Sequence, residues 1–410
     1  MHVVLIEPCF PKNQREFARA LHDVGATVTG IGERSKEALD DELRRWLTHY
    51  EQVPSVVDEG AVSKKVRWLQ SKLPIDRLEV TIEAHILPAA HVREACAIAG
   101  TSTKTAFLCR DKPAMKQVLR EGGIACAQSM GSSSRSGIRD FVAGVGYPVI
   151  IKPPNGAGAA GTARADDDAE LDAVLDEMGV ARGASVAVEE VEEFIEGHEG
   201  FYDTITINGE VAHDCISHYY PNVLEAMREG FILPQFIATN QVDTASGYEQ
   251  VREMGKKVIS LLGIETSSTH MEWFFGPKGL KFSETGCRPP GVGAWDLYGV
   301  GNEMDLYREW AVAVTSKSTS QKASRAYAAG IIALRPERDG TIIGYEGIAS
   351  IENELGQWII DYHLPRAGEP TKPVEAGYMG NAWLRMRHPN YDELREMLNH
   401  VGETVKVRAE

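Results

Sequence analysis

The stretch "HMEWFFGPKGLKFSETGCRPPG", residues 270–291, carries acids, an arginine and stiff backbone where a core would take Val or Ile. Two strand-like runs flank a turn. Pro277 suits the second position of a type I turn, and Gly279 suits the left-handed residue after it. A loop Pro277–Gly279 pairs Gly276 with Leu280 and sets Glu272 opposite Glu284 on one face of the hairpin. Two carboxylates so placed repel each other unless a cation stands between them. Either a divalent metal is held there or one glutamate turns to solvent; a one-residue slip would separate the pair. Beyond Glu284, Arg288 is fixed by Pro289 and Pro290, while Gly291 and Gly293 let the backbone approach a ligand. Such a guanidinium clamps a carboxylate or phosphate, or closes a salt bridge to a nearby acid.

Three further stretches suit an anionic ligand. "KPPNGAGAAGT" (152–162) spaces Gly156, Gly158 and Gly161 as GxGxxG, but no helix opens directly after them, so a dinucleotide fingerprint is not met. The glycines read as a flap joining two strands, whose amides can fold over phosphates. Lys152 ends an apolar strand, where an ammonium either meets a polyphosphate or snorkels to water. Lys112 sits in the first turn of a helix, where the dipole disfavours a cation unless an anion binds. In "EEFIEGHE" (192–199), Phe194 and Ile195 could line an adenine slot and Glu199 accept from ribose hydroxyls; the alternative is an ordinary acidic strand end.

The elements that must position these residues follow from periodicity. "HVVLIEP", "ATVTGIG" and "LEVTIEA" read as strands, and "NQREFARALHDVG" and "AAHVREACAIAG" as helices stopped by Gly25 and Gly100. "RDKPAMKQVLREGG" is a helix with Asp111 as N-cap and Gly122 or Gly123 beyond its end. "YPVIIKPP" is a buried strand and "DDDAELDAVLDEMG" an acidic helix. "NGE" turns a hairpin, Gly263 closes a long helix, and "YDELREMLNHVG" is the last one.

The 410-residue chain is 43% hydrophobic and 25% charged, ordinary for a soluble globular protein. Its net charge of −16 argues against a nucleic-acid binder, and no apolar run reaches a membrane span. "MHVVLIEPCF" reads as a first strand, not a signal peptide. Six scattered cysteines without a CxxC pair suggest thiols in a reducing cytoplasm.

In this order, "RDK" (110–112), "VIIKPPNGAGAAGT" (149–162), "EEFIEGHE", "HMEW" (270–273) and "ETGCRPPG" (284–291) resemble the ATP-grasp superfamily, over roughly residues 1–315. The resemblance implies an α/β fold with an N-terminal parallel α/β unit (1–100), a two-lobed nucleotide-binding region (101–185 and 186–320) and a small C-terminal α+β domain (321–410). It implies ATP and Mg2+ (or Mn2+) as cofactors. Lys112 and Lys152 would hold phosphates under a loop including Asn155, Gly156 and Gly158. Glu192, Glu193 and Ile195 would form the adenine hinge, with Glu199 on the ribose. Glu272 and Glu284 would hold metal, and Arg288 would face an acyl phosphate. His270 and Gly291 would border substrate, although a packed structural histidine is an equal reading. Gly286 departs from the family's common Asn ligand.

The implied activity is ATP-dependent joining of a small carboxylate to an amine through an acyl phosphate. The chain looks most like the branch acting on amino acids, with 217–236 beside the acceptor site. A bicarbonate-activating relative is a second reading, although "AMK" (114–116) lies on a helix and Gln117 follows it. A nucleotide-binding sensor without turnover is a third, favoured by Gly286 alone. The last ninety residues read as a strand-rich cap that completes the pocket or forms a homodimer.

Overall fold

A computed structural model describes residues 1–152, 162–179, 189–228, 232–373, 377, 379–380 and 382–410. The N-terminal unit contains strands β1 (His2–Ile6), β2 (Thr27–Gly32), β3 (His49–Gln52) and β4 (Arg77–Glu79), all parallel in the order β3-β2-β1-β4. β1 is buried along its whole length, which is why it reads as an unbroken apolar run. The strand expected over "LEVTIEA" keeps only Leu78 and Glu79, with Arg77 before them. The helix expected to run to Gly100 stops at Ala95, and Ala97 takes a left-handed turn (φ 53°). Gly100 is needed for another reason: a Cβ there would meet the Arg93 side chain at 2.8 Å.

The small lobe holds strands β5 (Ser129–Ser132), β6 (Val149–Lys152), β7 (Ala163–Ala165) and β8 (Glu189–Glu193), in the order β5-β8-β6-β7. β6 and β7 pair antiparallel, so residues 153–161 connect two strands, as the missing helix start implied. Alternation sets the two faces of this sheet. Val149, Ile151 and Val191 pack with Leu171 and Leu175, from the helix Asp168–Glu177, and with Ile138 and Val142, from the helix Arg135–Val145. Ile150, Lys152, Glu190 and Glu192 therefore fall on the other face. Since β8 belongs to this sheet, the small lobe's ladder continues past residue 185.

The large sheet has eight antiparallel strands. β9 (His198–Ile207), β10 (Glu210–Tyr220), β11 (Gln235–Ala238), β12 (Ser267–Gly276), β13 (Gly279–Gly286) and β14 (Ala328–Leu334) come first. β15 (Ile342–Glu346) leaves the sheet, and β16 (Ile359–His363) and β17 (Ala382–His388) rejoin it; β18 (Lys406–Ala409) pairs with β15. The order is β13-β12-β9-β10-β11-β14-β17-β16. Three strands from residues 321–410 thus extend the sheet of the preceding lobe through the β11–β14 ladder. The last helix, Tyr391–Thr404, buries Leu394, Leu398 and Val401 against them.

Candidate active site

A cleft of about 1100 Å3 lies where the small-lobe sheet, the β12–β13 hairpin and the N-terminal unit meet. Its small-lobe wall begins with the helix Lys112–Glu121. Asp111 caps that helix by accepting from the Ala114 amide at 2.9 Å, which fixes Lys112 in the first turn. Lys152 reaches the cleft from the end of β6, and Glu192, Phe194 and Ile195 reach it from β8 and the segment after it. The Arg164 guanidinium stacks over Phe194 at 4.4 Å from the ring centre. Glu193 turns its carboxylate toward Gln128 (3.2 Å) and Lys281 (4.0 Å).

The opposite wall is the hairpin, and its register carries a correction. A two-residue turn, Pro277–Lys278, pairs Gly276 with Gly279 and not with Leu280; Gly279 does adopt the left-handed conformation (φ 78°). The ladder therefore starts one residue out of the expected register. A bulge then places Ser283 as the extra residue between the Trp273–Phe282 and Glu272–Glu284 pairs, which restores the facing glutamates. The expected pair forms because the bulge cancels the slip.

The charges of the two walls meet. The Lys112 ammonium lies 2.9 Å from Glu284. Burial would raise the Glu284 carboxyl, but the Lys112 and Lys152 ammonium groups outweigh it and hold the group at about 2. Lys152 pairs with Glu192; burial opposes its charge, while Glu192 and Glu284 push its pKa up. Glu199 accepts from the Val223 amide at 2.7 Å, and burial beside Glu272 pushes its carboxyl up to about 8. His270 bonds through Nδ1 to Asp203 at 2.6 Å, and its Nε2 stands 3.6 Å from Glu272. Burial opposes an imidazolium there, but Asp203 prevails and raises the ring to about 9. Tyr298 donates to the other Asp203 oxygen.

Arg288 makes the ion pair that was its alternative reading: Nε to Glu83 at 2.6 Å, with Arg110 on the other Glu83 oxygen at 2.7 Å. Glu83 comes from the N-terminal unit and still leaves Arg288 lining the cleft. Gly286 gains a physical reason. A Cβ at that position would sit 3.1 Å from Glu83 Oε2 and 3.4 Å from Arg288 Cγ, so a longer side chain would crowd this pair. Gly291 also lines the cleft; a Cβ there would meet no described heavy atom within 4 Å. Asn155, Gly156 and Gly158 lie outside the described residues.

Glu272 and Glu284 are cross-strand partners, and the Lys112 ammonium already rests on Glu284 as a cation. Among the described residues no cluster of three or more His, Cys, Asp or Glu side chains could enclose a metal. Two carboxylates without a third protein ligand suit Mg2+, which keeps waters and phosphate oxygens in its shell.

Glu83, Asp203 and Lys116 were not legible as site residues. Glu83 lies 205 positions from Arg288. Asp203 lies inside the buried strand β9, four positions after Glu199 and within no motif. Lys116 did leave a signal: it shares the buried face of its helix with Met115 and Leu119.

Residues 111–283 match the family described as carbamoyl-phosphate synthase L chain, ATP binding domain. An L-arginine-specific L-amino acid ligase of Bacillus subtilis is 28% identical over 231 residues, covering 55% of this chain and 54% of that protein. The chain thus spans about half the length of the curated relatives it matches. The crystal structure of an L-amino acid ligase from Bacillus licheniformis superposes with a TM-score of 0.78 at 18% identity, over 100% of this chain and 98% of that one. A biotin carboxylase domain from Hydrogenobacter thermophilus, in complex with MgADP, ADP and bicarbonate, gives 0.67 at 17% identity, over 99% and 90%. Residues 111–283 thus match an ATP-binding domain family, and the chain shares the fold of these ATP-dependent enzymes.

Proposed function

We propose that the chain is an ATP-dependent carboxylate–amine ligase that joins amino-acid substrates and releases ADP and phosphate. The observation that carries this reading is the facing of Glu272 and Glu284 by Lys112 and Lys152 inside one cleft. The similarity to L-amino acid ligases supports the substrate class.

In this reading Lys112 and Lys152 hold the phosphates, and the hinge at Glu192, Glu193 and Ile195 receives the adenine, with Glu199 beside the ribose. Glu272 and Glu284 would hold Mg2+, which would supply charge neutralisation for the phosphates. A nucleotide entering the cleft draws Lys112 from Glu284 toward phosphate. Arg288, fixed by Glu83, orients the substrate carboxylate for attack on the γ-phosphorus. The β–γ bridging bond breaks, ADP leaves, and an acyl phosphate remains. The acceptor amine then attacks the carbonyl, the bond from carbon to the phosphate oxygen breaks, and the amine proton passes to the departing phosphate. Arg288 and His270 face the negative charge that develops on the carbonyl oxygen. No nucleophilic side chain is required, since both nucleophiles belong to the substrates.

The test is release of ADP and phosphate with Mg2+ or Mn2+ and pooled amino acids, followed by mass spectrometry for a dipeptide. The expected result is turnover that needs both a carboxylate and an amine. ATP hydrolysis stimulated by bicarbonate alone would favour a bicarbonate-activating enzyme, the reading supported by the family match and the biotin carboxylase likeness. Nucleotide binding without turnover on any pair would leave a sensor. A cytoplasmic location belongs to this reading, resting on the scattered cysteines of the sequence. A homodimer is the assembly to look for by sedimentation. No described helix is long and apolar enough to cross a membrane.

A further inference from the structure

Behind the nucleotide-facing wall lies a second charge layer. Lys116 is completely buried, and its ammonium lies 2.9 Å from Glu190 Oε1 and in contact with Glu192 Oε2. The other Glu192 oxygen holds Lys152. One carboxylate therefore bridges a buried ammonium and an ammonium at the cleft edge. Glu190 is itself 3% exposed, faces Lys152 across the β6–β8 ladder, and has a second oxygen without a hydrogen-bond partner among the described residues. The four groups sum to zero charge.

Such a tetrad is a poor device for stability alone. Buried ion pairs are often replaced by apolar residues of similar volume without loss, because desolvation offsets their attraction. Lys116 replaces what the helix pattern would fill with Leu or Met, beside Met115 and Leu119. The orphaned Glu190 oxygen is a further cost.

We propose that Lys116 is a positioning residue for nucleotide binding: it holds Glu192 from behind and balances Glu190, so that Lys152 stays at the cleft edge and keeps attraction to spare for phosphate. Without Lys116, the single Lys152 ammonium faces two buried carboxylates. It is drawn back toward them, and the layer behind the phosphates becomes net negative. The inference rests on the nucleotide-site reading above.

The test uses the full chain and titrates it calorimetrically with ADP in the presence of Mg2+, with thermal unfolding recorded for each protein. Lys116→Met is expected to weaken MgADP binding by about tenfold or more, the scale of one charge contact at an interior dielectric. Lys116→Met/Glu190→Gln, which returns the layer to zero charge, is expected to recover most of that loss. Glu190→Gln alone leaves the layer net positive and is expected to tighten binding about threefold. This near-isosteric change keeps the proposal falsifiable if Lys116→Met does not fold. MgADP binding by Lys116→Met within about twofold of wild type, no recovery in the folded double variant, or unchanged or weaker binding by Glu190→Gln would each overturn the proposal. Failure of the wild-type protein to bind MgADP at all would instead overturn the nucleotide-site reading.

Discussion

The two walls of the cleft differ in register and in how they compensate charge: the β6–β8 ladder keeps period two, whereas the hairpin breaks it at Ser283. On the small lobe, Lys152 is balanced within its own wall by Glu192, with Lys116 behind it. On the hairpin, Glu284 is balanced across the cleft by Lys112, while Glu272 looks to His270. The first wall is pre-arranged; the second is arranged by contacts that an incoming ligand must exchange. Preorganised charge costs no reorganisation at the moment of reaction. The cross-cleft pair must instead be exchanged when, in the proposed reaction, a nucleotide enters.

The sharpest break in that comparison is expected at the hairpin. Glu284→Gln should lower kcat/KM by about 1000-fold, because it removes charge from the pair proposed to hold the metal. Lys152→Met should cost about 100-fold, mainly through KM for ATP. A steady-state comparison of the two variants checks the order; equal effects would mean that the walls work alike. A smaller effect is expected from Gly286→Asn, at the end of β13, which crowds Glu83 and so disturbs Arg288 without removing a charge from either wall. Its kcat should fall between about 10- and 100-fold while MgADP affinity, read by calorimetry, stays near wild type.

The smallest effect at neutral pH belongs to a polar layer that carries no charge. His198 Nε2 lies 2.9 Å from His218 Nδ1, and His218 Nε2 lies 2.7 Å from the Tyr248 hydroxyl. Burial, then His198 and Arg395, push the His218 pKa down to about 3. A base whose folded pKa lies below its unfolded value near 6.5 leaves stability intact above that value. Stability is then lost as pH falls from about 6.5 toward 3. Tm should drop across that window, and His218→Gln should flatten the drop even if it lowers Tm at pH 7. An unchanged pH slope would show that another group titrates.

What the sequence displayed follows from the range of the interactions. Lys112 and its cap were legible because helix starts are local. The two strands on either side of residues 153–161 were legible because the absent helix start is local too. The facing of Glu272 and Glu284 was legible only through two compensating errors, since neither the turn register nor the bulge at Ser283 has a strong signature. Glu83 was invisible because its partners, Arg110 and Arg288, belong to other parts of the chain. The same distance hid the union of the last ninety residues with the large sheet.

That union has a consequence for the chain's behaviour as a material. β11 is four buried residues, hydrogen-bonded on one side by β10 and on the other by β14. A protein cut after residue 320 would bare one margin of β11, with Ile237 stripped of the apolar neighbours that now cover it. Open margins of that kind invite strands from other molecules. The terminal segment thus acts as a selvedge, keeping the sheet from unravelling into its neighbours.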